Sequence, residues 1–505
     1  MAQAMSISLA LLSGKSCSVE LEPGLSIQEL REIAQQRLNA RISQLITADG
    51  RVLKEESYVG DSKIESGDVV TAILRQAAIV SNGSCNWRSA TVVRHTDGSV
   101  TAWGNFACGG DIIGVQDQLH DVQRVVATYA AFAALRGDGS TVAWGEAESG
   151  GDSSEVQEQL VDVSSIRASG YAFAALRRDG KVVTWGAPDY GGDSSNVQSQ
   201  LAKVTEIHAT HGAFAAKCDD GRVVVWGKAN YGGDSSAVAN QLTHVQRICA
   251  GFFALTAVRE DGQVITWGNA DMEANCPRVQ KLGHDVVDIQ ASHAAFCALL
   301  ADGRAVTWGD EKYGGNCPLA LTDLRSITAN AYAFAAVTKA GRVIAWGNPF
   351  CGGDSSLVAE ELYDVVEIQA AHYAFAALLA DGGVVAWGDV EAGGSCGDVE
   401  LRDIQELCAS AQAFCALSSD GFVITWGRRD FGGDSSSVQE HLQDISHISS
   451  SENAFMAIKS DGSVITWGGE EMSRTPWAGN EDGFLGSSND EFFDEDSSTS
   501  FSDES

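Results

Sequence analysis

The chain has 505 residues, a formal net charge of −34 and 44 % apolar residues. This length and apolar content allow two or more folded domains, each with its own core. The negative charge repels phosphate backbones and no run of Lys or Arg offsets it, so we expect no nucleic-acid partner. The N-terminus lacks a basic leader and no eighteen-residue apolar stretch exists, so we expect neither a signal peptide nor a membrane span.

Twelve cysteines are scattered along the chain, without a C-x-x-C pair or a histidine cluster at zinc-ligand spacing. Several, such as Cys297 and Cys415, lie inside apolar runs typical of strands. We therefore expect buried free thiols in a reducing compartment and no metal site. Together with the missing targeting segments, this predicts a cytoplasmic or nuclear protein.

Residues 5–76 have the pattern of a small α+β domain. Apolar residues alternate from Ile7 to Leu11, which predicts a half-buried strand. Ser26 and Glu29 have the spacing of a capping box, so a helix should begin after Ser26. Residues 69–74 then predict a closing strand.

This segment resembles ubiquitin. The likeness lies in Met5-Ser-Ile-Ser-Leu, in the Ser-Gly-Lys turn at 13–15, in Val19-Glu-Leu-Glu-Pro and in Ile73-Leu-Arg. The resemblance implies a β-grasp fold, in which a helix packs across a mixed sheet.

The resemblance also implies a partner-binding patch at Leu12, Ile46 and Ile73, all three of them apolar. The alternative is that these residues are incidental surface apolars or partly core. The diglycine tail of ubiquitin is absent, because Arg75 is followed by Gln76-Ala77-Ala78. The segment is therefore expected to be an integral module and not a conjugated tag.

Residues 79–468 contain a ten-fold repeat. A Trp-Gly pair recurs in steps of 41, 41, 41, 41, 41, 38, 41, 39 and 41 residues, beginning at Trp103 and ending at Trp467. In each unit two β-type runs flank an Asp-Gly pair, except for Ala340-Gly341, and this predicts a hairpin. The run before each Trp is apolar on both faces, so it needs packing layers above and below.

A phenylalanine recurs twelve residues before the Trp in eight units, which predicts a core position and not a ligand platform. The units resemble repeats of the regulator of chromosome condensation family, on the Asp-Gly-x-Val-x-x-Trp-Gly string and the Tyr-Gly-Gly that follows. The short period is closest to the bacterial form of the repeat. The resemblance implies an all-β propeller, and ten units imply either a ring of more than the usual seven blades or an open array.

The remaining motifs point away from catalysis. Gly-Gly-Asp-Ser-Ser, at 150, 191, 232, 352 and 432, offers one carboxylate per loop, which favours a turn over a calcium site. We interpret the ten histidines as sharing no repeat position, and no nucleophile or phosphate-binding motif is present. We therefore expect no catalytic residue, no cofactor and no small-molecule substrate.

Residues 469–505 hold eleven Asp or Glu, eight Ser and one Arg, which predicts a disordered acidic tail. The function expected for the whole chain is that of a non-catalytic protein-interaction scaffold or adaptor linked to the ubiquitin pathway. The alternatives are regulation of a small GTPase by nucleotide exchange, or an accessory part in a HECT-type ubiquitin ligase system. A HECT catalytic domain itself needs several hundred further residues.

Overall fold

The computed structural model describes residues 5–11, 15–21, 24–38, 42–48, 51–53, 57–62, 64, 66–74, 76–83, 89–269, 282, 285–317, 319–397, 399 and 401–469. The predicted acidic tail lies outside these ranges, apart from its first residue, Gly469. Within them, no helix combines the length and the apolar character needed to cross a membrane.

The N-terminal segment forms one mixed sheet and one helix. Its elements are β1 (Met5–Leu11), β2 (Ser16–Leu21), α1 (Ile27–Leu38), β3 (Ile42–Thr47) and β4 (Val69–Leu74). The strand order is β2-β1-β4-β3, in which β1 is antiparallel to β2 and parallel to β4, and β3 is antiparallel to β4.

The predicted capping box at the start of α1 is confirmed. The backbone N–H of Ser26 donates to Glu29 Oε2 at 2.8 Å, and the N–H of Glu29 donates to Ser26 Oγ at 3.2 Å. These bonds pair backbone donors that a helix start leaves without an intrahelical partner. The apolar face of α1 packs on the sheet in one cluster, which includes Ile27, Leu30, Ala34 and Leu38 from the helix and Ile7, Leu9 and Val70 from the strands.

The repeat folds into ten three-stranded antiparallel sheets, one for each unit. This confirms an all-β, propeller-like repeat domain. The strands β5–β34, three to a sheet in chain order, are Ala78–Ser81, Ala90–Arg94, Val100–Gly104; Val122–Ala127, Ala131–Arg136, Thr141–Gly145; Val163–Ala168, Ala172–Arg177, Val182–Gly186; Val204–Ala209, Ala213–Cys218, Val223–Gly227; Val245–Ala250, Ala254–Arg259, Val264–Gly268; Val286–Ala291, Ala295–Leu300, Ala305–Gly309; Leu324–Ala329, Ala333–Thr338, Val343–Gly347; Val365–Ala370, Ala374–Leu379, Val384–Gly388; Ile404–Ala409, Ala413–Ser418, Val423–Gly427; and Ile445–Ser450, Ala454–Lys459, Val464–Gly468.

The predicted hairpin turns lie between the second and third strands. Gly221 has a φ of +78°, a conformation that disfavours side chains with a Cβ. The neighbouring Asp220 accepts a hydrogen bond from the Arg222 N–H at Oδ1, at 3.1 Å, which fixes the turn. The glycines of the other turns also have positive φ.

A ring pair fills the space between neighbouring sheets. Phe214 is fully buried, and its ring stacks on that of Trp226 with centroids 5.4 Å apart. The indole N–H of Trp226 donates to the carbonyl oxygen of Gly191, in the loop of the preceding repeat, at 3.0 Å. The predicted core role of the eight phenylalanines is confirmed, because each of them is fully buried.

Backbone hydrogen bonds also join neighbouring sheets at both ends of the strands. At the hairpin end, the N–H of Val163 donates to the carbonyl of Gly139 in the preceding sheet at 2.8 Å. At the opposite end, the N–H of Tyr129 donates to the carbonyl of Gly170 in the following sheet, also at 2.8 Å. Sheet-to-sheet spacing is therefore fixed by backbone groups as well as by side-chain packing.

The first and tenth sheets contact each other. Ser81 Oγ and Ser451 Oγ are 2.7 Å apart, and Asn453 Nδ2 donates to the carbonyls of Asn82 and Gly83 at 3.3 and 2.9 Å. One apolar cluster is shared between the two sheets and holds Ala77, Ile79, Val93, Ala454, Met456 and Ile458. The ends of the repeat array are therefore neighbours in space.

We expect Gly191→Ala to destabilise the repeat domain by about 2–4 kcal/mol, because the position is both strained and crowded. Gly191 has a φ of +94°, and an added Cβ would lie 2.5 Å from Phe214 Cδ2. The control is Gly114→Ala, where an added Cβ meets nothing within 4 Å. Thermal unfolding followed by circular dichroism measures both variants, and equal midpoints for the two would contradict this packing role.

Candidate protein-binding surface

In the second to tenth sheets, the turn that joins the first and second strands ends in a pair of residues 15 and 14 positions before the Trp. We call this pair the linking turn, because its backbone bonds to the next sheet. In the third sheet it is Gly170-Tyr171, where the Gly170 N–H donates to the His211 carbonyl of the fourth sheet at 2.7 Å. In the fourth sheet, the His211 N–H donates in turn to the Phe252 carbonyl at 3.2 Å.

In the third sheet, the residue before the linking turn holds it in place through its side chain. Ser169 Oγ accepts a hydrogen bond from the Ala172 N–H at 3.1 Å and donates to the carbonyl of Tyr190 at 2.9 Å. Tyr190 ends a short 3-10 turn, Pro188–Tyr190, in the loop after the third strand. The Ala187 N–H, in the same loop, donates to the Tyr171 carbonyl at 2.9 Å. The linking turn and this loop therefore lie at the same end of the sheet.

Aromatic side chains concentrate at these two positions. Seven of the ten sheets, the second to the eighth, carry at least one aromatic or histidine ring in the linking turn, and three carry a tyrosine at the end of the 3-10 turn. All of these rings are partly exposed, unlike the buried Phe–Trp pairs. We call this set the aromatic face: Tyr129, Tyr171, Tyr190, His211, Tyr231, Phe252, Phe253, His293, Tyr313, Tyr332, His372 and Tyr373.

Five of these rings form a continuous series from sheet to sheet. The centroid of Tyr129 lies 5.1 Å from that of His211, and His211 stacks on Phe252 at 4.5 Å. Phe252 is followed by His293 at 4.7 Å, and His293 by His372 at 6.5 Å. The third and seventh sheets contribute no ring to this series, because the small residues Gly170 and Ala331 occupy the matching positions there.

Burial keeps two of the histidines neutral. Desolvation, with a smaller contribution from Lys228, lowers the pKa of His211 from 6.5 to about 4. Desolvation, with smaller contributions from His372 and His211, lowers the pKa of His293 to about 4 as well. At neutral pH these side chains therefore behave as uncharged rings.

Charged groups border the aromatic face. Lys228 Nζ lies 5.3 Å from the ring centroid of Tyr190 and 5.5 Å from that of Tyr231. His372 Nε2 lies 3.2 Å from Glu452 Oε1. Beside Lys228 is a cavity of about 620 Å³, lined in part by Tyr190, Asp193, Val197 and Trp226.

The predicted patch of Leu12, Ile46 and Ile73 stays a prediction. Leu12 lies outside the described residues. Ile46 is half-buried and pairs with Thr71, while the backbone of Ile73 pairs with Gln44.

The loop aspartate in Gly-Gly-Asp-Ser-Ser forms a turn, because Asp193 Oδ1 accepts from the Ser195 N–H at 2.8 Å.

The interpretation from the sequence that the histidines share no repeat position is wrong. His211, His293 and His372 each lie 15 residues before the Trp of their unit, at Trp226, Trp308 and Trp387. The same count places Tyr129 and Phe252 in register with them. Aligning the units on the tryptophan would have found the aromatic face in the sequence, because ring residues recur there while the rest of the turn varies.

No protein-family model and no curated protein matches the chain. Solved structures that resemble it include the ectodomain of the Physcomitrella patens receptor kinase CR4, with a TM-score of 0.31 and 15 % identity over 53 % of this chain and 73 % of that one. Prp20p from Saccharomyces cerevisiae has a TM-score of 0.31 and 17 % identity over 55 % and 74 %. Yeast RCC1 (Prp20) bound to Kap60 has a TM-score of 0.29 and 15 % identity over 49 % and 73 %. The likeness is too distant to carry residues or activities over to this chain.

We expect His211 and His293 to titrate near pH 4 in the folded chain. Because folding lowers their pKa from 6.5, the stability that the neutral rings contribute is present above pH 6.5 and is lost as the pH falls toward 4. A ¹H–¹³C NMR titration of the imidazole Cε1 groups measures this, with His211→Gln to assign one signal. A midpoint for His211 at or above 6.5 would show that this ring is not desolvated.

Proposed function

We propose that this chain is a non-catalytic scaffold that binds a protein partner through its aromatic face. The observation that carries the proposal is the set of twelve partly exposed rings at one end of seven successive sheets. Tyrosine and other aromatic residues dominate the centres of protein interfaces, because they bury a large area at a low cost in conformational entropy. A contiguous, partly exposed aromatic surface of this kind on a folded domain is typical of an interaction site.

The chemistry of the thiols supports a non-catalytic role. Burial raises the pKa of Cys249 to about 12, and that of Cys351 and Cys396 to about 11. Burial also raises the pKa of Cys297 and Cys415. A cysteine nucleophile reacts as the thiolate, so these groups are poorly suited to covalent catalysis at neutral pH.

We further infer that the ten sheets close into a ring. The contacts between the first and tenth sheets support this, above all the Ser81–Ser451 hydrogen bond and the shared apolar cluster. Closure would hold the aromatic face in one arrangement and reduce the entropy lost when a partner binds.

Ring closure predicts that a Ser81→Cys, Ser451→Cys double variant forms a disulfide under mild oxidation, because the two side-chain oxygens lie 2.7 Å apart. Peptide mapping by mass spectrometry without reductant identifies the cross-linked pair. The single variants are the controls. Failure to form this bond, in a double variant that unfolds like the wild type, would favour an open array.

We also infer that the N-terminal domain is a ubiquitin-like β-grasp module that links the scaffold to the ubiquitin pathway. The mixed sheet order β2-β1-β4-β3, with α1 packed on one face, supports this inference. The candidate contact residues remain Leu12, Ile46 and Ile73. The cytoplasmic or nuclear location remains a prediction as well.

Binding through the aromatic face predicts that Phe252→Ala removes specific partners of the full-length chain. The Phe252 ring contacts His211, Tyr231, Phe253 and His293, so its loss interrupts the middle of the surface. Affinity capture with quantitative mass spectrometry compares the variant with the wild type. Truncation of a central interface ring weakens binding by at least about tenfold, so the affected partners should be strongly depleted.

The matched control is Phe422→Ala, which removes an exposed ring beside a hairpin turn at the opposite end of the ninth sheet. If Phe252→Ala and the wild type capture the same partners, the aromatic face is not the binding surface. A second arm uses one triple variant that combines Leu12→Ala, Ile46→Ala and Ile73→Ala. This variant should release ubiquitin-pathway components while leaving the partners of the aromatic face bound.

The two alternatives lead to different captured partners. Regulation of a small GTPase requires capture of that GTPase and faster nucleotide release in its presence. An accessory role in a HECT-type ligase system requires capture of the ligase. Neither alternative is favoured by a particular contact in the described residues.

A further inference from the structure

The chain places one of its own cations on the aromatic face. The ammonium group of Lys228 lies between two tyrosine rings, 5.3 Å from the centroid of Tyr190 and 5.5 Å from that of Tyr231. At these distances a cation is attracted to the negative face of a ring. Tyrosines from two neighbouring 3-10 turns are therefore spaced to accept a side-chain cation.

A second group of tyrosines lies farther along the face. The ring of Tyr332 stacks on that of Tyr313, with centroids 5.1 Å apart and planes 19° apart, and on that of Tyr373, at 5.7 Å and 22°. The Tyr332 N–H donates to Asn330 Oδ1 at 2.9 Å, and Asn330 Nδ2 donates to the Cys351 carbonyl at 2.7 Å. We call Tyr313, Tyr332 and Tyr373 the tyrosine stack.

Next to this stack, the loop position two residues after the Trp is an aspartate and not a lysine. The residue two places after the Trp is Lys228 beside Tyr231, but it is Asp310 beside Tyr313. Asp389 occupies the same position in the eighth sheet, where its N–H donates to the Tyr373 carbonyl at 3.0 Å. Among the residues that the structure describes, no Lys or Arg lies over the ring of Tyr313 or Tyr332.

The negative charge acts on the stack itself. Burial first, then Tyr332 and Asp310, raise the pKa of Tyr313. Asp310 accepts a hydrogen bond from the Lys312 N–H at Oδ1, and Asp389 accepts one from the Glu391 N–H at Oδ1. Both carboxylates are thus held in place by the loops that carry them, and Asp310 is close enough to Tyr313 to raise the pKa of that side chain.

We infer that the tyrosine stack, with Asp310 and Asp389, binds a lysine or arginine side chain in a basic segment of a protein partner. This inference rests on the proposed role of the aromatic face in partner binding and adds the chemistry of the partner. Ring faces and carboxylates both attract a cation, and a guanidinium group can stack on a tyrosine while it pairs with a carboxylate. The net charge of −34 draws a basic segment toward the chain from a distance.

Charge decides between the alternative occupants. The C-terminal segment of this chain, residues 470–505, has eleven acidic residues and one arginine, so Asp310 and Asp389 repel it. A second copy of the chain carries the same net negative charge. A basic partner is attracted to Asp310 and Asp389, whereas the C-terminal segment and a second copy of the chain are repelled.

The test measures binding of a fluorescein-labelled twelve-residue peptide of alternating arginine, lysine and serine to the full-length protein by fluorescence anisotropy. Tyr332→Ala should weaken binding about tenfold, because it removes the central ring of the stack. Tyr332→Phe keeps the ring face and should retain affinity within about threefold. The same pair of variants separates loss of the π surface from loss of the hydroxyl group.

A charge pair gives the second comparison. Asp310→Asn keeps the ability to cap the 3-10 turn and should weaken binding about threefold to fivefold at about 0.1 M salt, with a smaller effect at about 1 M. Asp364→Asn removes the same charge at the opposite end of the sheets, where Asp364 has a φ of +47° that Asn also tolerates. The Asp364 variant should bind within about twofold of the wild type, because its charge is remote and screened.

Several outcomes would overturn the inference. No binding of the basic peptide, unchanged binding by Tyr332→Ala, or equal losses from Asp310→Asn and Asp364→Asn would each do so. Stronger binding of a peptide copied from residues 484–496 would identify the tail as the occupant. A dimer of the wild type that Tyr332→Ala dissociates in sedimentation would identify a second copy. If Phe252→Ala still releases captured partners, the proposed function survives any of these results.

Discussion

The repeat domain depends on one hydrogen bond, which eight of the tryptophans that the structure describes donate to a loop glycine of the preceding unit. The indole N–H of Trp185 donates to the carbonyl of Gly150, and Trp226 does the same to Gly191. A buried indole N–H needs an acceptor, and the acceptor comes from a glycine whose positive φ lets the backbone approach the ring pair. The two units with shorter steps keep this bond: Trp346 reaches Gly314 and Trp426 reaches Gly393. The missing residues therefore lie after the glycine, where the loop tolerates a change in length.

The residues that stabilise the fold are different from those of the aromatic face, and this explains why the aromatic face can vary in sequence. Stability comes from the Phe–Trp pairs, the loop glycines and the backbone bonds between sheets. Residues such as Ser169 and Thr210 fix the linking turn by bonding to the carbonyls of Tyr190 and Tyr231. The first residue of the turn is a ring at His211, a glycine at Gly170 and a glutamate at Glu452, so this position accommodates very different side chains. Such positions are where binding specificity can differ from sheet to sheet.

Most of the fold follows from the sequence because its signals are local. The Asp-Gly turns and the Ser26–Glu29 capping box reflect contacts between residues close in the chain, and the 41-residue period of the Trp-Gly pair is visible in the sequence because both residue types are kept. The aromatic face is harder to see, because it joins residues about 41 apart whose identities differ from Tyr to His to Phe. The backbone bonds between sheets leave no trace in side chains. Trp308 shows the same limit, since its N–H donates to the hydroxyl of Thr266, a partner that the period does not mark.

The contact between Ser81 and Ser451 spans 370 residues of sequence. The entropy cost of closing a loop grows only with the logarithm of its length, so this contact costs about 2 kcal/mol more than one across a single 41-residue unit. Because Ser451 lies in the tenth repeat, this contact can form only after the last repeat has been synthesised, so it is the last junction of the array to become available. Until that junction forms, the first sheet presents Ile79 and Val93 to solvent, as an unpaired apolar surface that a chaperone or another chain can bind.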